Sequence, residues 1–260
     1  MKSLMKIAAA AAVAVVASMA SANAAPIRFG MAPEPYPPFA SKDASGKWVG
    51  WEIELMDAVC KAMNEECKVV EVSWDGLIPA LQAKQLDVIW NSMSITNERK
   101  KVIDFSDKYY NTPTAIIGPK DEKFGVAPDD LKGKTIGTQV STVHQNYVEK
   151  YYVPAGAKLK TYQTQDEANQ DLAAGRIDAT QADAIALDAF LATDQGKACC
   201  DKKGNVKEDP EVLGPGVGGG TRKEDAALRD KLNAAIKKVR ESGEYDKITK
   251  KYFDFDIYGG

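Results

Sequence analysis

The stretch Asn91-Ser92-Met93-Ser94-Ile95-Thr96-Asn97-Glu98-Arg99 sets small polar side chains ahead of a single arginine, directly after the strand-like run Leu86 to Trp90. A guanidinium forks onto a carboxylate through two parallel hydrogen bonds, and Ser94, Thr96 and their backbone can bind the same carboxylate and a neighbouring ammonium. Such a set suits a zwitterion. Taken alone, the segment reads first as a strand end with an exposed arginine, the usual place of a single surface arginine. A second polar pair, Ser141-Thr142, stands at the start of a predicted helix. Free backbone N–H groups there attract a carboxylate, and either residue also serves as an ordinary N-cap.

Other chemistries find less footing. The four cysteines are Cys60, Cys67, Cys199 and Cys200. In an oxidising compartment Cys60 and Cys67 are expected to pair, closing a short loop between a helix and the next strand. The adjacent Cys199 and Cys200 leave three options open: a vicinal disulfide, two thiols, or bridges between molecules. The one histidine, His144, is remote in sequence from every cysteine, and no C-x-x-C spacing occurs, so neither a metal site nor a catalytic thiol is expected. The glycine-rich segment 214–220 lacks the lysine of a phosphate loop and the spacing of a dinucleotide fold, and reads as a turn or a crossing between lobes. No cofactor is expected.

The positioning frame follows from the rest of the chain. Lys2 and Lys6 precede an apolar run from Ile7 to Ala20, and Ala22-Asn23-Ala24 supplies small residues around a cleavage point, so residues 1–24 read as a secretory signal peptide. That places the mature chain outside the cytoplasm. Removing two lysines takes the formal charge from −3 to −5, an acidic surface that argues against nucleic acid. The remaining stretch of about 235 residues accommodates two lobes of ordinary domain size.

Strand-like and helical runs alternate, the mark of an α/β protein with a largely parallel sheet. Strands are expected over 27–31, 68–72, 87–90 and 135–139, and helices over 52–63, 76–83, 143–151, 167–174 and 225–242. In the first helix the acidic residues Glu52 and Glu54 fall in the first turn, where the helix dipole favours anions. The arginine motif then lies at the carboxyl end of a strand, where open α/β sheets bind ligands.

In this order, Tyr36-Pro37-Pro38-Phe39, Gly50-Trp51-Glu52-Ile53-Glu54-Leu55, Asp75-Gly76-Leu77-Ile78-Pro79, Ser92 to Arg99, Asp104-Phe105-Ser106, Leu172 to Ala179 and Tyr252-Phe253-Asp254 resemble the solute-binding proteins of polar amino acid ABC transporters. The resemblance spans essentially the whole mature chain and is greatest to the lysine/arginine/ornithine- and histidine-binding branch. It implies a type II two-lobe periplasmic-binding-protein fold with two hinge crossings, residues 25–112 and 216–260 forming one lobe and 113–215 the other. It implies that Arg99, Ser94 and the Thr142 N–H hold an α-carboxylate, with Ser141 beside them. Asp183, Ser94 and the Ser92 carbonyl would hold the α-ammonium, and Tyr36 and Trp74 would sandwich the side chain. Cys60 and Cys67 match the disulfide of the basic amino acid binders.

Three departures bear on specificity. The segment before Tyr36 is one residue longer than the family pattern, so Glu34 only approximately matches the acid that pairs with a lysine or ornithine side chain. Asn91 stands where a small hydroxyl is common, and Val143 where a glutamine often reaches the ligand. Trp51 replaces a smaller residue and is expected to affect packing only. The implied function is capture of a basic or polar amino acid, or a derivative such as an opine, by a monomer in the periplasm that docks on a membrane permease. The alternative implied by the same fold is an enzyme resembling cyclohexadienyl dehydratase, with Asp183, Glu34 and Tyr36 as acids.

Overall fold

The computed structural model describes residues 25–259; the proposed signal peptide at 1–24 lies outside them. The first half of the chain runs β1 (Ile27–Met31), a small hairpin of β2 (Ser41–Lys42) and β3 (Trp48–Val49), α1 (Trp51–Met63), β4 (Cys67–Glu71), α2 (Leu77–Gln82), β5 (Val88–Ile89) and β6 (Asp104–Tyr110). Helix α1 turns Ile53, Leu55, Met56, Val59 and Met63 inward at helical spacing and stops where Asn64 takes the left-handed conformation. The Cys60–Cys67 disulfide then ties its last turn to β4.

The chain crosses to a second sheet through residues 111–113 and continues as β7 (Thr114–Pro119), β8 (Thr135–Gln139), α3 (Val143–Tyr147), β9 (Lys158–Tyr162) and α4 (Gln165–Ala173). Helix α3 runs on as a π-helical turn over Val148–Tyr152. There follow β10 (Ala179–Asp183), α5 (Ala184–Leu191), α6 (Asp194–Cys199), β11 (Cys200–Asn205) and α7 (Pro210–Leu213). The return leads into β12 (Val217–Thr221), α8 (Ala226–Glu241) and α9 (Glu244–Thr249). Cys199 and Cys200, which sequence left open, are bonded to each other at the turn from α6 into β11.

Each lobe is a five-stranded sheet with helices, in the orders β4-β1-β5-β12-β6 and β11-β7-β10-β8-β9. The sheets are mixed rather than mostly parallel. In the first, β1 pairs parallel with β4 and β5 while β12 runs antiparallel to β5 and β6. In the second, β8 pairs parallel with β9 and β10 while β7 is antiparallel to β10 and β11.

The antiparallel half of the first sheet corrects the reading of the glycine-rich segment as only a turn or crossing. Residues 217–221 are a fully buried strand. A side chain at Gly218 would bring a Cβ to 2.9 Å from Ile95, so the bare backbone is what lets β12 lie against the arginine motif. Only Gly214, Pro215 and Gly216 remain in the crossing.

The first lobe's core packs Phe29, Phe39, Trp51, Trp90, Tyr109 and Tyr110 between the sheet and helices α1 and α8. Trp90 stacks on Tyr109 with ring centroids 4.1 Å apart. Trp51 is fully buried there and bonds Thr249 through its indole N–H at 3.1 Å, a packing role.

Candidate functional site

The arginine motif leaves the end of β5 as a loop braced from below and from behind. From below, Glu52 of α1 is buried and accepts from the Ser92 N–H at 2.7 Å, from Ser92 Oγ at 3.0 Å and from the Tyr109 hydroxyl. No cation offsets it among these contacts; burial raises its pKa and the donors pull it back. These bonds hold Ser92 in the left-handed conformation, φ 52°. From behind, Ile95 N–H donates to Gly216 O at 2.8 Å and Gly218 N–H to Met93 O at 3.2 Å. Asn91 Oδ1 accepts from Ala32 N–H at 2.8 Å and so fixes the loop after β1, which carries Glu34 and Tyr36.

Arg99 is half-buried in the cleft between the sheets. Its Nη1 donates to Ser94 O at 2.8 Å and its Nη2 crosses the cleft to Ser141 O at 3.0 Å. The Trp74 ring lies 5.5 Å from the guanidinium carbon, close enough for cation–π attraction. The Trp74 indole crosses the same gap to Val140 O at 3.0 Å. Burial lowers the Arg99 pKa to about 10, and no carboxylate pairs with it among the described residues. A desolvated guanidinium held only by carbonyl oxygens is a strong anion site.

Eight of the residues singled out in the sequence line one cavity: Glu34, Tyr36, Trp74, Asn91, Ser92, Ser94, Arg99 and Thr142. It encloses about 600 Å³ including its open mouth. Thr142 also caps α3, accepting from Gln145 N–H at 3.1 Å, so its two readings coexist. Ser141 is exposed and contributes its carbonyl.

Asp183 lines an adjoining cavity that shares Ser94 and Val143 with the first. It caps α5, accepting from Ile185 N–H at 2.9 Å and Ala186 N–H at 3.4 Å, and takes the Thr112 hydroxyl on its other oxygen. Burial outweighs these bonds and pushes its pKa up to about 6. Tyr36 lies within reach of its charge; burial, then Asp183 and Glu52, hold the phenol well above its usual range.

Four residues of the site were not legible as such. Gln139, His144 and Gln165 line the cavity from the second lobe. Val143 lines it too, but the polar group beside it is His144, one position further on. Glu52 reads in sequence as a helix-dipole acid, whereas the structure buries it under Ser92. Its only sequence signal was a carboxylate flanked by Trp51 and Ile53 on an apolar helix face. Glu34 places Oε2 in a buried position with no partner among the described residues.

Comparison with known proteins agrees with this geometry. Residues 27–255 match the model of the bacterial extracellular solute-binding proteins, family 3. The L-arginine-binding protein of Pseudomonas aeruginosa is 42% identical over 235 residues, covering 90% of each chain. The histidine-binding periplasmic protein of Salmonella typhimurium is 41% identical over 237 residues, again covering 90% of each. Among solved structures, an ancestral arginine-binding protein bound to arginine superimposes with a TM-score of 0.81 at 34% identity, covering 89% of this chain and 99% of that one. This chain belongs to the bacterial extracellular solute-binding proteins of family 3.

Proposed function

We propose that this chain is the periplasmic ligand-binding subunit of an ABC importer and captures a basic amino acid of the arginine, lysine, ornithine or histidine kind. The observation that carries the reading is the Arg99 guanidinium, desolvated in a cavity between two sheets with no carboxylate partner among the described residues. A ligand carboxylate supplies that partner. Asp183, buried at the far side of Ser94, supplies the acceptor for an α-ammonium, and Trp74 and Tyr36 offer ring faces to an aliphatic or cationic chain. The unpartnered Oε2 of Glu34 favours a cation at the chain's far end. The names of the similar arginine- and histidine-binding proteins support the same class.

In this reading residues 25–112 and 216–260 form one lobe and 113–215 the other, and the monomer closes by a hinge before docking on its permease. Capture involves no covalent chemistry. The dehydratase alternative has less support, because the similar curated proteins are named as binding proteins. Calorimetric titration with L-arginine, L-lysine and L-histidine tests the assignment. Arg99→Ala is expected to cost at least ~2 kcal/mol of binding, because the ligand carboxylate enters the cleft without a partner. Wild-type affinity in that variant removes Arg99 from the site.

A further inference from the structure

His144 is the only histidine of the chain, and the structure sets it in the cavity wall facing Arg99, within the carboxylate end of the site. Its Nδ1 lies 3.4 Å from Thr114 Oγ1, and its backbone carbonyl accepts from Gln181 Nε2 at 3.4 Å. The second ring nitrogen makes no hydrogen bond to a described residue, although the side chain is half-buried. That nitrogen is open to solvent rather than sealed in the wall. His144 thus has a nitrogen to spare and a cation opposite.

We propose that His144 is a further ligand-contacting residue whose protonation is linked to the ligand's negative end, so that binding draws a proton onto its imidazole. The inference rests on the reading of the cleft as an amino acid site. Without ligand, burial first and the Arg99 charge second depress the imidazole pKa to about 3, so it is neutral. A carboxylate seated on Arg99 cancels that repulsion and presents a negative partner to the free nitrogen. The pKa in the complex therefore rises, and affinity increases as the pH falls through the bound-state midpoint towards the free-state one.

The other charged groups around His144 set the background. Asp183 ends β10 in the adjoining cavity, where Glu208, Asp209 and Lys108 also contribute to the wall. Asp209 is tied to Lys150 at 2.7 Å and to Tyr151 at 2.7 Å. Glu34 and Tyr36 face the cavity from the loop after β1. Of these, Asp183 titrates near 6 and opposes the effect, because its protonation weakens the hold on an ammonium. A bare pH profile of affinity mixes the two groups. The single imidazole separates them.

The test is NMR of the mature protein carrying 13C-labelled histidine, titrated from pH 8 to pH 4 with and without saturating L-arginine, alongside calorimetry of wild type and His144→Gln. Without ligand the imidazole is expected to stay neutral down to pH 4, whereas in the complex its midpoint is expected to fall within this range, at least about one pH unit above the free value. The ratio of wild-type to His144→Gln affinity is expected to increase on acidification, by up to about tenfold per pH unit within the linked window. Glutamine keeps a polar side chain at the position, so the ratio isolates the proton. L-arginine binding with the imidazole still neutral at pH 4 overturns this inference and leaves the amino acid site standing. If neither L-arginine nor L-lysine binds, the inference falls together with the ligand class.

Discussion

Asp183 carries a conflict at the scale of one residue. It is buried, its pKa is raised to about 6 chiefly by desolvation, and it forms no ion pair among the described residues. A carboxyl whose pKa is raised on folding favours the folded state fully only below its unfolded value near 4, and that contribution is lost as the pH rises through 6. At neutral pH the ionised group therefore costs the ligand-free protein about 2–3 kcal/mol, which an incoming ammonium relieves. Asp183→Asn keeps an oxygen to cap α5. Thermal melts at pH 7 should show it to be more stable than wild type without ligand, and calorimetry should show weaker amino acid binding. A less stable variant with unchanged affinity contradicts that assignment.

The residues legible in sequence were those whose chemistry is local: an arginine after a run of hydroxyls, and aromatic residues in the Tyr36-Pro37-Pro38-Phe39 and Trp74 positions. Those that were missed act across the fold. Glu52 supports Ser92 from 40 positions away, and His144 gains its meaning only from facing Arg99 across the cleft. Neither relation leaves a periodic trace.

At the scale of elements, the segment with the least side chain proved the most constrained. Strand β12 returns from the second lobe, completes the first sheet, and is locked by Arg222 just beyond its end. Arg222 is buried, donates to Leu81 O and Leu86 O, and pairs with Asp87 at 3.0 Å and Asp225 at 2.6 Å. Arg28 of β1 grips the same Asp87 at 2.8 Å. One carboxylate thus joins the first strand to the last.

These bonds, Arg28 foremost, hold Asp87 down to a pKa of about 2. The sign is opposite to that of Asp183: its stabilisation is present above the unfolded value near 4 and is lost as the pH falls through 2. Asp87→Ala is expected to cost about 2 kcal/mol in urea unfolding at pH 7, with a smaller difference from wild type below pH 3. An unchanged unfolding midpoint at pH 7 excludes this role. The alternation of strands and helices predicted β1, β4, β5 and β8 and the helices α1 to α4 and α8, but not that 217–221 is a strand, because propensity disfavours glycine there and tertiary packing overrides it.

At the scale of the whole molecule, two donors of the first lobe, Trp74 Nε1 and Arg99 Nη2, reach successive carbonyls of the second, Val140 and Ser141. Both also line the cavity. The groups that close the cleft are therefore the groups proposed to meet the ligand, so occupancy and closure should be coupled. No helix among the described residues is long and apolar enough to cross a membrane.

Thermal unfolding of the mature protein, stripped of bound ligand by unfolding and refolding, against a panel of amino acids, opines and sugars tests the central claim most directly. A ligand present at 100 times its dissociation constant adds about 2.7 kcal/mol to stability. The account predicts that L-arginine, L-lysine, L-ornithine or L-histidine raises the melting temperature of the wild type and moves Arg99→Ala by no more than about a third as much at the same concentration. A protein whose melting temperature responds to no zwitterion contradicts it.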